Sequence, residues 1–93
     1  MLMLVSMVFN PGVTAAEVQE RLAPAHSWYR FATTMNSASW VLCTNEAPQA
    51  WVARLENLCR PNGTILACRF LAYDAHGWMS QDFWNWWKLH NNN

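Results

Sequence analysis

The residues best placed to do chemistry are an acid and an imidazole, Asp74 and His76, separated by one residue. Alternate residues of a β-strand share a face, so the Asp74 carboxylate is positioned to orient the His76 ring as a general base or a metal ligand. A polar strand end that leads into a turn at Gly77 explains the same residues. The polar strand end is favoured because no nucleophile or third ligand accompanies the pair, and both residues are kept as weak candidates for catalysis.

The sequence contains no further motif for catalysis or cofactor binding. The serines and threonines of residues 33–39 lack a G-x-S-x-G pattern, and the three glycines do not form a phosphate-binding loop. Cys43, Cys59 and Cys68 include no C-x-x-C pair, and each lies in an apolar stretch, as small buried side chains do in a reducing compartment. We therefore expect no cofactor, no metal site and a cytoplasmic location.

Tryptophan is the most informative residue type, since seven occur in 93 residues and four lie in one C-terminal segment. So large an apolar surplus covers a face of the domain, joins two subunits or grips a ligand. Trp84 and Trp87 recur at helical spacing with Phe83, which favours a helix docked on the core or on a second subunit. A surface for a protein partner is the first alternative, with these partner-binding residues: Trp78, Trp84, Trp86 and Trp87.

Single-stranded RNA is the second alternative, because exposed tryptophans can stack on bases. That mode needs basic residues beside the rings, and the aromatic segment offers only Lys88. Six basic and six acidic residues give a net charge of zero, so counterion release provides no general affinity for nucleic acid. Nucleic-acid binding is therefore disfavoured.

The composition indicates one small domain that shares part of its surface. With 53% hydrophobic and 13% charged residues, the chain has about half the charged fraction of an ordinary soluble domain. A homodimer is the simplest arrangement, because a two-fold axis pairs an apolar patch with its own copy. No membrane role is expected, since no stretch approaches the ~20 apolar residues that span a bilayer and the N-terminus lacks the basic region of a secretory leader.

The elements that must position these residues follow the order β-α-β-β-α-β, with one more helix at the C-terminal end. Strands are predicted at residues 2–9, 27–34, 39–44 and 64–73, and helices at 15–23, from 48 onwards and after a cap at Ser80. This order predicts an α+β, ferredoxin-like domain over residues 1–90, with a four-stranded antiparallel sheet and both main helices on one face. The other face is left for the tryptophan-rich segment or a second subunit, and residues 91–93 are expected to form a frayed tail.

The chain resembles the SinR-like proteins, small relatives of the CRISPR-associated Cas-two family. The likeness comprises an aromatic second strand, Ser39-Trp40 after the hairpin turn, Arg54-Leu55 within a helix, Asn62 in a turn, and Gly77-Trp78 before an aromatic helix. These short features span nearly the whole chain. The resemblance implies the same topology and a cytoplasmic homodimer joined through sheet faces or C-terminal segments.

The resemblance also bears on catalysis. In the Cas-two relatives the first strand ends in an aspartate assigned to a divalent metal, and the matching residues here are Val8-Phe9-Asn10. A neutral asparagine is a poor sole ligand for a hard cation. The leading prediction is therefore a non-enzymatic homodimeric interaction or regulatory module, of a kind that phages and mobile elements also encode. The alternatives are a metal-dependent nuclease related to the Cas-two family, using Asp74 and His76, and a weak binder of single-stranded RNA.

Overall fold

A computed structural model describes residues 1–90. It contains these elements: β1 Leu2–Val8, α1 Ala15–Glu20, β2 Ser27–Thr33, β3 Ser37–Cys43, α2 Pro48–Leu55, a 3-10 turn at Glu56–Leu58, β4 Thr64–Phe70, a 3-10 turn at Ala72–Asp74, and α3 Gln81–His90. The predicted α+β class, the four-stranded antiparallel sheet and the C-terminal helix are confirmed. The expected frayed tail, 91–93, lies outside the described residues.

The sheet has the strand order β2-β3-β1-β4, and all neighbouring strands are antiparallel. β1 pairs with a strand on both sides, and most of its residues are buried, which explains its nearly continuous apolar sequence. β2 and β4 form the two edges. Pairing is regular along β4, whereas β2 contains a β-bulge between Arg30 and Ala32 that leaves Phe31 without an opposite residue on β3.

The inner face of the sheet holds the main core, and both α1 and α2 pack on it. β1 contributes Met3, Val5 and Met7 to this face. The other large side chains of the core include Val18 of α1 and Leu22 just after it, Trp40 and Leu42 of β3, and Trp51 and Leu55 of α2. None of these side chains is more than 1% exposed, so the inner face is closed by the two helices.

The outer face carries the alternate residues of the same strands. Leu2, Val41 and Cys43 are buried there, in one cluster with Phe83 of α3. The C-terminal segment of the same chain therefore covers part of the face that α1 and α2 leave bare.

Side-chain caps begin α1 and α3 where the sequence predicts them. Thr14 Oγ1 accepts a hydrogen bond from the Glu17 N–H at 3.2 Å, and Ser80 Oγ accepts one from the Phe83 N–H at 3.2 Å. Each bond satisfies one of the amides that a helix leaves unpaired at its start. The short polar residues before each apolar stripe thus fix where the two helices begin.

Two elements end earlier than predicted. α1 stops at Glu20 because the Arg21 and Leu22 amides bond to carbonyls three residues back instead of four, which tightens the chain into a turn. β4 stops at Phe70, three residues before its predicted end, because the chain coils into the 3-10 turn at Ala72–Asp74. The segment between β4 and α3 is therefore a connection and not a strand end.

Two fully buried tryptophans differ in one hydrogen bond, which gives a test of the core. Trp51 Nε1 donates to Thr44 Oγ1 at 3.2 Å, whereas Trp40 Nε1 has no hydrogen-bond partner among residues 1–90. We expect Trp51→Phe to lower the free energy of unfolding by about 1–3 kcal/mol more than Trp40→Phe, because the first breaks a hydrogen bond and the second removes an unsatisfied donor. Urea unfolding measures both changes in free energy. Equal losses in the two variants would contradict the stabilising role assigned to the hydrogen bond from Trp51 to Thr44.

Candidate functional site

α3 is attached to the outer face of the sheet by Phe83. The Phe83 side chain is 4% exposed and meets the Tyr29 ring edge-to-face, with ring centroids 5.4 Å apart. Three tryptophan rings surround it at centroid distances of 5.1–6.4 Å: Trp84, Trp86 and Trp87. Edge-to-face and tilted ring pairs of this kind add about 0.5–1.5 kcal/mol each beyond the burial of area. Phe83 is therefore the centre of the contact between helix and sheet.

The tryptophans of α3 extend this contact on both sides of Phe83. Trp86 Nε1 donates to Ser27 Oγ at 2.7 Å, and the Trp87 ring stacks on Phe70 with centroids 5.9 Å apart and planes inclined by 17°. Trp84, Trp86 and Trp87 are each half-buried. The structure thus brings three of the four predicted partner-binding tryptophans together at the junction of helix and sheet, as a docked helix requires. Their role in binding a partner stays a prediction.

Trp78, the fourth predicted partner-binding residue, stands apart from that junction. Its side chain is 99% exposed, more than any other large apolar side chain among residues 1–90. It lies in the segment that connects the Ala72–Asp74 turn to α3, beside Tyr29, Arg30 and Phe31 of β2. Burying an indole releases a large hydrophobic free energy, and Trp78 gains almost none of it within residues 1–90.

The part of the outer face that α3 leaves uncovered forms a surface that we call the open strip. Its residues, taken from the strand register, are Ser6, Val8, Ser37, Ser39, Thr64 and Leu66. None of them is charged. Leu66 is 61% and Val8 39% exposed, and the Ser6 and Ser39 hydroxyls hydrogen-bond to each other at 3.0 Å. The open strip can therefore be covered by another surface without stripping water from a charge.

A cleft of about 250 Å³ opens between the sheet and α3, and we call it the α3 cleft. Leu4, Phe31 and Phe70 form its floor, and Trp84 and Trp87 form one wall. The connecting segment supplies the rim, where His76 is the single titratable side chain of the lining. The α3 cleft is therefore an aromatic, almost entirely apolar hollow beside the open strip.

Asp74 and His76, the weak candidates for catalysis, both lie exposed in the connecting segment. Asp74 ends the 3-10 turn, so the two residues do not share one face of a strand as the sequence suggests. His76 lines the α3 cleft and Asp74 does not. Within residues 1–90, no three His, Cys, Asp or Glu side chains lie close enough together to hold a metal ion.

Asn10, just after the end of β1, links two parts of the backbone. Its side-chain amide donates to the Arg60 carbonyl, and its Oδ1 accepts a hydrogen bond from the Asn62 N–H at 3.4 Å. These bonds tie the end of β1 to the turn before β4. Asn10 thus has a structural task in this chain.

The strongest ion pair lies on the helix side of the molecule. Arg54 of α2 contacts both carboxylate oxygens of Glu46, at 2.9 and 3.0 Å, and its guanidinium lies 4.3 Å from the centre of the Trp51 ring. The hydrogen bond from Arg54 lowers the pKa of Glu46, so the stabilisation from this pair is lost as the pH falls through that lowered pKa. The pair lies with α2, away from the open strip.

The three cysteines differ in accessibility. Cys43 and Cys59 are buried and Cys68 is half-buried, and all three are free thiols. Burial raises the pKa of the Cys59 thiol, so Cys59 forms the reactive thiolate only at higher pH than an exposed cysteine. Cys68 pairs with Leu4 across the outer face and thus reports on whether that face is covered.

Leu66 and Phe31 are the surface residues that sequence reasoning missed. Leu66 alternates with Ile65 and Ala67, which assigns it to the outer face. A helix of 10 residues is about 15 Å long and about 10 Å wide, whereas a sheet of four 7-residue strands measures about 19 by 23 Å. The mismatch in size between α3 and the sheet is the signal that some apolar outer-face residues must stay exposed.

The attachment of α3 can be tested at Phe83. We expect Phe83→Ala to lower the free energy of unfolding by about 3–5 kcal/mol, because it removes the buried ring around which the aromatic cluster packs. Tryptophan emission should shift to longer wavelength as the α3 indoles become wet. Leu89→Ala is the matched control, because Leu89 lies on α3 and is 76% exposed. Unchanged stability and emission in the Phe83 variant would show that α3 is held by other contacts.

No helix among residues 1–90 is long and apolar enough to cross a membrane. Comparison of the chain with protein-family models, with curated proteins and with solved structures finds no match.

Proposed function

We propose that the chain is a non-enzymatic interaction module that acts as a homodimer, with the open strip at the centre of the dimer interface. The observation that carries this proposal is the open strip itself, which is an uncharged sheet surface on which Leu66 is 61% exposed. Monomeric domains seldom leave the apolar side chains of a sheet face next to one another in water. Such a surface is typical of an interface core, where charged residues are depleted.

A second copy of the chain fits this surface well. A two-fold axis places strip against strip, so one uncharged surface meets another without a need for complementary charges on another protein. The net charge of zero means that two copies do not repel each other. The Ser6 and Ser39 hydroxyls share one hydrogen bond at 3.0 Å, so only one of their two O–H groups is left to find an acceptor at the interface.

The open strip is too small to hold a dimer on its own. Its residues lie on three strands about 4.8 Å apart and span about 10 Å along each, so the strip covers about 150 Å². A stable interface buries about 800 Å² on each partner, roughly five times as much. The interface must therefore extend beyond the strip, and the α3 cleft and Trp78 lie on the same side of the sheet.

We infer in addition that the sheet is of the ferredoxin-like type. Counted from β4, the strand order is β4-β1-β3-β2, and β1 and β2 run parallel with β3 between them. This is the arrangement expected of two split β-α-β units. It supports the proposed likeness to the SinR-like proteins, and with it a cytoplasmic homodimer.

The proposed dimer predicts the effect of a charge at Leu66. We expect Leu66→Glu to weaken dimerisation by about 100-fold or more, because each dimer would bury two carboxylates without partners. Analytical ultracentrifugation over a wide range of concentrations measures the dissociation constant. Cys68 should react faster with a thiol reagent in the variant, because the outer face is no longer covered.

Leu89→Glu is the control for this experiment, because it places the same charge on an apolar residue that is 76% exposed and outside the open strip. Its dissociation constant should equal that of the wild type. A wild-type chain that stays monomeric at every concentration would overturn the proposal. So would cleavage of RNA or DNA with magnesium or manganese that is lost in His76→Ala, since the chain would then be an enzyme.

A further inference from the structure

Two neighbouring features of the outer face have no role in the monomer. Trp78 is 99% exposed although an indole is among the most apolar of side chains. The α3 cleft is an aromatic hollow of about 250 Å³ whose rim includes Gly77 and Met79, the residues on either side of Trp78. A bare aromatic side chain and an unfilled aromatic hollow therefore lie side by side.

The α3 cleft matches an indole in size and in chemistry. An apolar cavity of about 150 Å³ accepts benzene, and scaling by the number of ring atoms gives about 225 Å³ for an indole. The α3 cleft has a volume of about 250 Å³. Trp84 and Trp87 offer ring edges and faces to an inserted ring, which is the arrangement that aromatic pairs prefer.

Trp78 does not fill the α3 cleft of its own chain. Gly77 and Met79 line the cleft, while Trp78 between them is directed outwards and belongs to the neighbouring groove beside Tyr29 and Arg30. Because the Trp78 side chain points away from the α3 cleft of its own chain, it can enter an α3 cleft only on another molecule.

We propose that two copies of the chain exchange Trp78, each indole entering the α3 cleft of the other copy. This inference rests on the proposed homodimer and specifies how its interface is completed. A two-fold axis makes the exchange reciprocal, because Trp78 and the α3 cleft lie next to each other on the same surface of the chain. The proposed dimer is closed. Once each Trp78 occupies the α3 cleft of the other copy, neither copy has a free Trp78 or an empty cleft with which to bind a third copy.

The exchange supplies much of the area that the open strip lacks. A buried tryptophan contributes about 150–250 Å². Each copy loses that area from its own Trp78 and a comparable area from the cleft that receives the partner's ring. Added to about 150 Å² of open strip, this gives about 450–650 Å² per copy, the larger part of the ~800 Å² of a stable dimer.

The proposal is tested by measuring the dissociation constant of the dimer in variants that either remove the Trp78 side chain or fill the α3 cleft. We expect Trp78→Ala to raise it by about 30-fold for each lost indole, and by about 1000-fold for the two lost per dimer. Leu4→Phe should weaken the dimer in the same direction, because the larger side chain occupies the floor of the cleft. Trp78→Phe should fall between the wild type and Trp78→Ala.

The matched control is Leu89→Ala, which removes an exposed apolar side chain outside the proposed contact and should leave the dissociation constant unchanged. Thermal unfolding confirms that each variant is folded, as expected for Trp78 variants because that side chain is fully exposed. A wild-type dimer that is unaffected by Trp78→Ala would overturn the exchange and leave the proposed homodimer standing. A monomeric wild type would overturn both. Free indole that binds the wild-type chain without dissociating its dimer would make the cleft a small-ligand site and also overturn the exchange.

Discussion

The structure depends on covering a sheet that is apolar on both faces. α1 and α2 lie together on the inner face, so they leave Leu2, Val41 and Cys43 without cover on the outer face. α3 meets this requirement through Phe83, which is buried against the strands and surrounded by aromatic rings. The concentration of tryptophan at the C-terminal end follows from this task, since a helix of 10 residues must bury much apolar area with few side chains.

Partial cover also accounts for the character of the remaining surface. α3 is smaller than the sheet, and the strand residues beyond it are serines, threonine, valine and leucine without any charge. The Glu46–Arg54 pair lies with α2 instead. An uncharged and partly apolar sheet surface is suited to association through that surface, which is why we favour binding over catalysis.

The sequence predicts the elements well because their signals are local. Thr14 and Ser80 mark helix starts by their hydrogen-bonding chemistry, and alternating apolar residues mark the strands. The orientation of Trp78 and the hollow beside α3 could not be predicted, because both depend on the path of a connecting segment with no periodicity. The strand predicted over residues 64–73 is too long for the same reason: nothing in residues 71–73 distinguishes a strand end from a 3-10 turn.

The two edges of the sheet differ in how readily each could pair with a strand of another molecule. β4 offers a regular row of backbone groups, whereas the bulge at Phe31 interrupts the row on β2. A strand added at β2 would lose register at the bulge, so β4 is the better template for pairing with a strand of another molecule. The irregularity in β2 thus leaves this tryptophan-rich chain with one regular open edge in place of two.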